Sequence, residues 1–175
     1  MPHRFHSEQL LPYPVEVVFA FFADQENLPR LMPAWQQVRL EQVNLVAPLN
    51  PTNDLMQAAG KGSQIEISFR PVPLSPVRIH WLAEISEFEA NSFFCDQQLR
   101  GPFHSWRHCH RVRAQEHNGQ SATLLVDEIE YELAFGSLGR VANALFVRRQ
   151  LQAAFAFRHM QTVKLLALQH PAPSA

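Results

Sequence analysis

Apolar and polar positions repeat along this chain with two different periods, and the places where the period changes divide it into elements. Arg4-Phe5-His6-Ser7-Glu8 alternates and runs on to Pro12-Tyr13-Pro14, which predicts an opening strand ended by a proline break. Val15, Val18, Phe19 and Phe22 then fall at i, i+3, i+4 and i+7, one face of a short helix. Pro14 suits its start, because the N–H it lacks would have no helical partner there. Asp24 to Pro33 predicts a second short turn, with Leu28, Leu31 and Met32 inward.

From Trp35 to Phe135 the period is two. Val38 and Leu40 alternate with Arg39 and Glu41; Ile65, Ile67 and Phe69 with Glu66, Ser68 and Arg70; Val77, Ile79, Trp81, Ala83 and Ile85 with Arg78, His80, Glu84 and Ser86. These read as half-buried antiparallel strands. Ala47 to Gly62 separates the first two as a long loop, a lid or an insertion. Within it, Gly60-Lys61-Gly62-Ser63 lacks the spacing of a phosphate loop and reads as the turn into the next strand. Ser92 to Arg100, Phe103 to Ala114 and Ser121 to Phe135 predict three more strands, joined at Gly101-Pro102 and at Asn118-Gly119, the second a strong hairpin signal. Leu138 to Leu168 contains no proline, and Val141, Leu145, Arg148, Phe155, Thr162 and Leu166 lie near one stripe with Leu138, Leu151 and Leu165 beside it. A helix of about eight turns follows, about 45 Å long. The expected fold is α+β, one domain over residues 1–170 with a frayed tail at 171–175. A curved antiparallel sheet wraps a long C-terminal helix, two short helices follow the first strand, and space remains between sheet and helix.

Strand parity then sorts side chains by face. In Ser121 to Phe135, Leu125, Asp127, Ile129, Tyr131 and Leu133 share one face and Val126, Glu128, Glu130 and Glu132 the other, so the acid-rich face is outside. In Phe103 to Ala114, Arg107, Arg111 and Arg113 face outward, and Trp106, His108, His110 and Val112 inward. A two-residue turn at Asn118-Gly119 sets Arg107 against Glu130 outside, and His110 against Asp127 and Trp106 against Tyr131 inside. Two registers are open for the preceding hairpin. A three-residue loop at Gly101 to Phe103 puts Asp96 opposite His108 and Gln98 opposite Trp106; a two-residue loop turns Phe93 and Cys95 inward instead. The first gives a buried histidine its partner and is preferred. Asp96, Gln98, Trp106, His108, His110, Asp127 and Tyr131 then converge on one concavity, walled by Trp81, Ile79, Ile67, Phe69 and the long helix. Mostly apolar walls with a few placed polar groups suit a small aromatic or lipid-like ligand, and the same groups also serve as a buried network holding the strands.

Composition narrows the picture. The chain has 175 residues, 46% apolar and 18% charged, and buries enough surface to need no metal or disulfide. No apolar run reaches a membrane span and no signal peptide is evident at the start, so the expected setting is cytoplasmic with Cys95 and Cys109 as reduced thiols on the outer face. Through Gly136 there are 10 basic and 16 acidic residues, a net charge of −6; Arg140, Arg148, Arg149, Arg158 and Lys164 follow with no acid. These cations are expected to meet carboxylates of the same domain, in preference to an anionic lipid or nucleic acid. His108-x-His110 with Asp96 or Asp127 has enough ligands for zinc or iron, but each acid already has an imidazole to pair with, so no metal or other cofactor is expected.

The order of elements resembles the helix-grip fold of the START-like, or SRPBCC, superfamily, which includes polyketide cyclases/dehydrases and lipid-transfer domains. Pro14-Val15-Glu16-Val17-Val18-Phe19 is similar to its P-x-E-x-V-F helix start. Leu99-Arg100-Gly101-Pro102-Phe103, Trp106-Arg107-His108-Cys109-His110, the run from Asp127 to Gly136 and Phe146-Val147-Arg148-Arg149-Gln150-Leu151 resemble bacterial cyclase/dehydrase-like proteins. Ala134 departs from the pattern, standing where a proline is common. The resemblance implies a hydrophobic small molecule held between sheet and helix by Trp81, Asp96, Gln98, Trp106, His108, His110, Asp127 and Tyr131. It implies neither a nucleic-acid partner nor stable membrane insertion. The alternative is a cyclase or dehydratase (lyase) using His110, Asp127 and His108 as acid and base. A coenzyme-Q or membrane-lipid binder using the basic helix is a lesser alternative.

Overall fold

The computed structural model describes residues 2–49, 55, 58–133 and 146–170. β1 (His3–Leu11) leads into α1 (Val15–Ala23), followed by two 3-10 turns, Gln25–Leu31 and Ala34–Gln36. β2 (Arg39–Asn44), β3 (Gln64–Phe69), β4 (Ile79–Glu89), β5 (Phe93–Arg100), β6 (Ser105–His117) and β7 (Gln120–Glu132) come next, and α2 (Arg148–Gln169) closes the chain. The strands form one antiparallel sheet in the order β1-β7-β6-β5-β4-β3-β2, so the first strand pairs with the last and all others are sequential hairpins. Register shifts between Leu40 and Gln42, Leu82 and Ala83, and Ile85 and Glu87 add the bends that a sheet needs to curl.

The expected registers hold. Asn118 and Gly119 both take positive φ, 53° and 75°, the conformation of a tight hairpin turn, and they set His110 opposite Asp127 and Trp106 opposite Tyr131. On the other side of β6, Asp96 lies opposite His108. Gly60 has a different duty: a Cβ there would come within 2.7 Å of the Pro48 and Val46 backbone, so only glycine lets the loop close beside β3.

The expected helix start at Leu138, with Leu138, Val141 and Leu145, and the strand end at Ala134 and Phe135 lie outside the described residues, as does the tail. Within the described part, α2 does two jobs. Its C-terminal half buries Thr162, Leu165 and Leu166, the leucines joining the cluster of Leu11, Val18, Phe19, Val112 and Leu125. Gln9 ties it to β1 by donating to the His159 carbonyl at 2.9 Å. Its N-terminal half stands over the concave face with Leu151, Ala154, Phe155 and Arg158 turned to a cavity. No described helix is long and apolar enough to cross a membrane.

The expectation of two reduced thiols is overturned. Cys95 and Cys109, directly opposite on the outer face of β5 and β6, form a disulfide. A cross-strand pair in register brings two sulfurs together whether or not the core needs a staple. The inference of a reducing compartment therefore loses its premise. The bridge is wholly buried although it faces outward, with Arg107 paired to Glu87 at 2.6 Å and its Nη2 also 3.4 Å from Cys95 Sγ.

Candidate functional site

The cavity between sheet and α2 has a volume of about 300 Å³. Ile67 and Phe69 of β3, Trp81 of β4, Trp106 of β6 and Leu151 of α2 supply apolar wall, while Phe22, Phe94 and Phe155 surround the polar end. A neighbouring depression lined by Trp35 and Phe157 shares Pro33, Gln36, Gln150 and Ala154 with it. Ile79, expected as wall, is not among the lining residues.

Of the eight expected ligand residues, Trp81, Asp96, Trp106, His108 and His110 line the cavity. Asp127 and Tyr131 do not, being 1% and 2% exposed and packed beneath that surface. Gln98 also falls outside the lining. Its amide clamps the β5–β6 loop, donating to the Phe103 carbonyl at 2.8 Å and accepting from the Phe103 N–H at 3.3 Å. Tyr131 packs instead with Phe103 and Trp106, ring centroids 5.6 and 5.9 Å away.

Asp127 organises the polar end. Its Oδ1 lies 2.9 Å from His108 Nε2 and 2.6 Å from His110 Nδ1, and a carboxylate can only accept, so those two nitrogens carry the protons. In the neutral His110 ring the opposite nitrogen, Nε2, is thereby left with a lone pair. Burial pushes the His110 imidazole down to about 3, so it is neutral at neutral pH. Burial alone would raise the Asp127 carboxyl, but the Arg158 guanidinium and the two imidazole N–H groups outweigh it and hold that carboxyl well below the usual range. Asp96 is pushed the other way: burial dominates over His108, Arg158 and a hydrogen bond from Trp106, and its pKa rises. Two carboxyls with opposite shifts thus sit on either side of one imidazole, His108 Nδ1 lying 3.7 Å from Asp96 Oδ2.

Arg158 is the residue that the sequence reading placed only among the cations of the C-terminal helix. Among the described residues it is the one of those cations that lines the cavity, with Nη2 4.0 Å from Asp127 Oδ1. The helical stripe of Phe155 and Thr162 passes through position 158 at i+3 and i−4, the signal that locates it.

Asp96, His108 and His110 each offer a ligand atom within 4.8 Å of the others, a set that suits a divalent metal in donor type, with Asp127 orienting both rings from behind. The guanidinium beside His110, with Nη2 3.3 Å from Nδ1, opposes a cation at that spot.

Residues 11–158 match the family described as polyketide cyclase / dehydrase and lipid transport. No curated protein matches the sequence. Among solved structures, TTHA0849 from Thermus thermophilus superposes with a TM-score of 0.64 at 16% identity, covering 96% of this chain and 99% of that one. Norcoclaurine synthase from Thalictrum flavum gives 0.63 at 15% identity, with 98% of each chain covered. CV1439 from Chromobacterium violaceum gives 0.62 at 13%, with 94% and 97% covered. At these identities the likeness concerns the fold.

Proposed function

Since the chain belongs to the polyketide cyclase/dehydrase and lipid-transport family, we propose that it binds a hydrophobic small molecule in the cavity between the sheet and α2, with the molecule's polar end toward Asp96, His108 and His110. The observation that carries this reading is the division of the cavity. Apolar and aromatic side chains line its body, and hydrogen-bonding groups gather at one end, which is how a pocket both holds and orients an amphiphile. A pure strand-holding network would have no reason to face 300 Å³ of space.

Trp81 and Trp106 meet edge to face at 5.0 Å on the cavity wall, so occupancy should change their emission. Titration with 1-dodecanol and with a polycyclic alcohol is expected to quench tryptophan fluorescence with micromolar affinity. Ala154→Phe, which fills space on the α2 side, is expected to weaken binding at least tenfold. Quenching that is absent for both ligands, or untouched by Ala154→Phe, contradicts the reading.

A second reading, lyase-type catalysis, is favoured by one observation: Asp96 and His110 are tuned in opposite directions within one site. Norcoclaurine synthase, a neighbour in fold, has been solved with dopamine and hydroxybenzaldehyde, small aromatic molecules. On this reading His110 Nε2 takes a proton beside a carbonyl and the Asp96 carboxyl returns one to the oxygen. Exchange of carbonyl-adjacent protons for deuterium in a bound ketone, lost in His110→Phe, is the expected signature. A rate equal to that in buffer contradicts it.

A further inference from the structure

Arg158 enters the cavity from α2 with its side chain 13% exposed, its guanidinium 4.9 Å from the Phe22 ring centroid and 5.5 Å from that of Phe155. Its hydrogen-bond partners do not add up. Nη2 points at His110 Nδ1 from 3.3 Å, yet that nitrogen gives its proton to Asp127 at 2.6 Å and so has no lone pair to offer. Nε is buried without a partner. Nη1 makes no hydrogen bond or ion pair among the described residues. The nearest carboxylate oxygen, Asp127 Oδ1, is 4.0 Å away and already accepts from two imidazoles, while Asp127 Oδ2 is buried and unpartnered. Two opposite charges thus lie side by side without closing into the bidentate bridge that arginine and carboxylate form when each is the other's only partner. A permanently charged fork of five donors, largely removed from water and short of acceptors, is a costly arrangement unless an anion completes it.

We propose that Arg158 is the anion-binding group of the cavity and that its ligand is an amphiphilic monocarboxylate. The carboxylate sits against the guanidinium and the apolar body lies among Ile67, Phe69, Trp81, Trp106 and Leu151. This rests on the hydrophobic-ligand reading and deepens it. Charge favours a monoanion over a dianion: with Asp127 negative and Arg158 positive, a monocarboxylate brings the buried site to a net −1 and a phosphate dianion to −2.

The test compares dodecanoate with 1-dodecanol, chains of equal length with different heads, by calorimetric or fluorescence titration at pH 8. Wild type is expected to bind dodecanoate at least tenfold more tightly. Arg158→Gln is expected to bring the two within about threefold by weakening dodecanoate the more, and Arg158→Lys to retain part of the preference. Equal affinities in wild type, or a preference that survives Arg158→Gln, overturns the proposal and leaves the hydrophobic-ligand reading standing. Failure of both amphiphiles to bind overturns both. Thermal unfolding checks each variant, and if Arg158→Gln does not fold, the wild-type comparison and Arg158→Lys decide.

Discussion

Asp127 is the residue on which the polar end depends, because one buried oxygen serves two imidazoles and balances a guanidinium. Removing it leaves a buried cation uncompensated, so Asp127→Ala is expected to cost about 3 to 5 kcal/mol in urea unfolding. Adding Arg158→Met, which removes the stranded charge, should recover part of that; a single-variant cost under about 1 kcal/mol contradicts the account. Acid acts on the same groups. His110 stays neutral in the fold down to about pH 3, whereas in the unfolded chain it gains a proton near 6.5. Stability is therefore unaffected by this group above 6.5 and falls as pH drops from there toward 3, by at most about 1.4 kcal/mol per pH unit. Asp96 opposes this: its raised folded pKa keeps a proton that the unfolded carboxyl releases above about 3.8, so its burial costs most at high pH and the cost fades on acidification. Asp127 contributes stability above its unfolded value and loses it only as pH falls through its depressed folded value. In Asp96→Asn the opposing effect is gone, and the urea midpoint should fall steadily from pH 6.5 to 4.5; a flat profile in that variant contradicts the buried neutral His110. The imidazoles and acids could be read from strand parity, since alternation fixes which face each occupies. Arg158 escaped that logic because charge alone marks a residue as solvent-facing, and only its place on the helical stripe says otherwise.

At the scale of elements, β5 and β6 carry most of the site, and their pairing was legible because two turns and one alternation leave few registers. Asn118-Gly119 fixed one side; the need to partner His108 settled the other. The same register holds the disulfide, which was missed because cysteine count and core size argue only about need, whereas Cys95 and Cys109 are bridged by proximity. Closing a loop of about 15 residues restricts the unfolded chain by up to about 3 kcal/mol. Cys95→Ser with Cys109→Ser, or reduction of the wild type, is expected to lower unfolding stability by an amount of that order. Ligand affinity should be unchanged, since the bridge lies on the face away from the cavity. Loss of binding with retained stability would show instead that the outer face controls the inner one. Helix α2 was legible from its period, but its division into an anchored half and a cavity-facing half was not, because apolar residues serve both purposes and only packing against Leu11 and Val18 distinguishes them.

For the whole molecule, the succession of strand, short helices, six strands and long helix carried the fold, because an antiparallel sheet and one amphipathic helix have few ways to bury a face each. What it could not carry was the space left over, which depends on how far the N-terminal half of α2 stands off the sheet. The central claim is that this space holds an apolar molecule in a defined direction. Isotope-filtered NMR on the labelled protein with unlabelled 1-dodecanol reads that arrangement directly. Contacts are expected from the methylene chain to Ile67, Trp81 and Leu151 and from the carbon next to the hydroxyl to the His108 and His110 rings. Contacts confined to outer-face residues, or a chain reversed so that its methyl end meets the imidazoles, would contradict it.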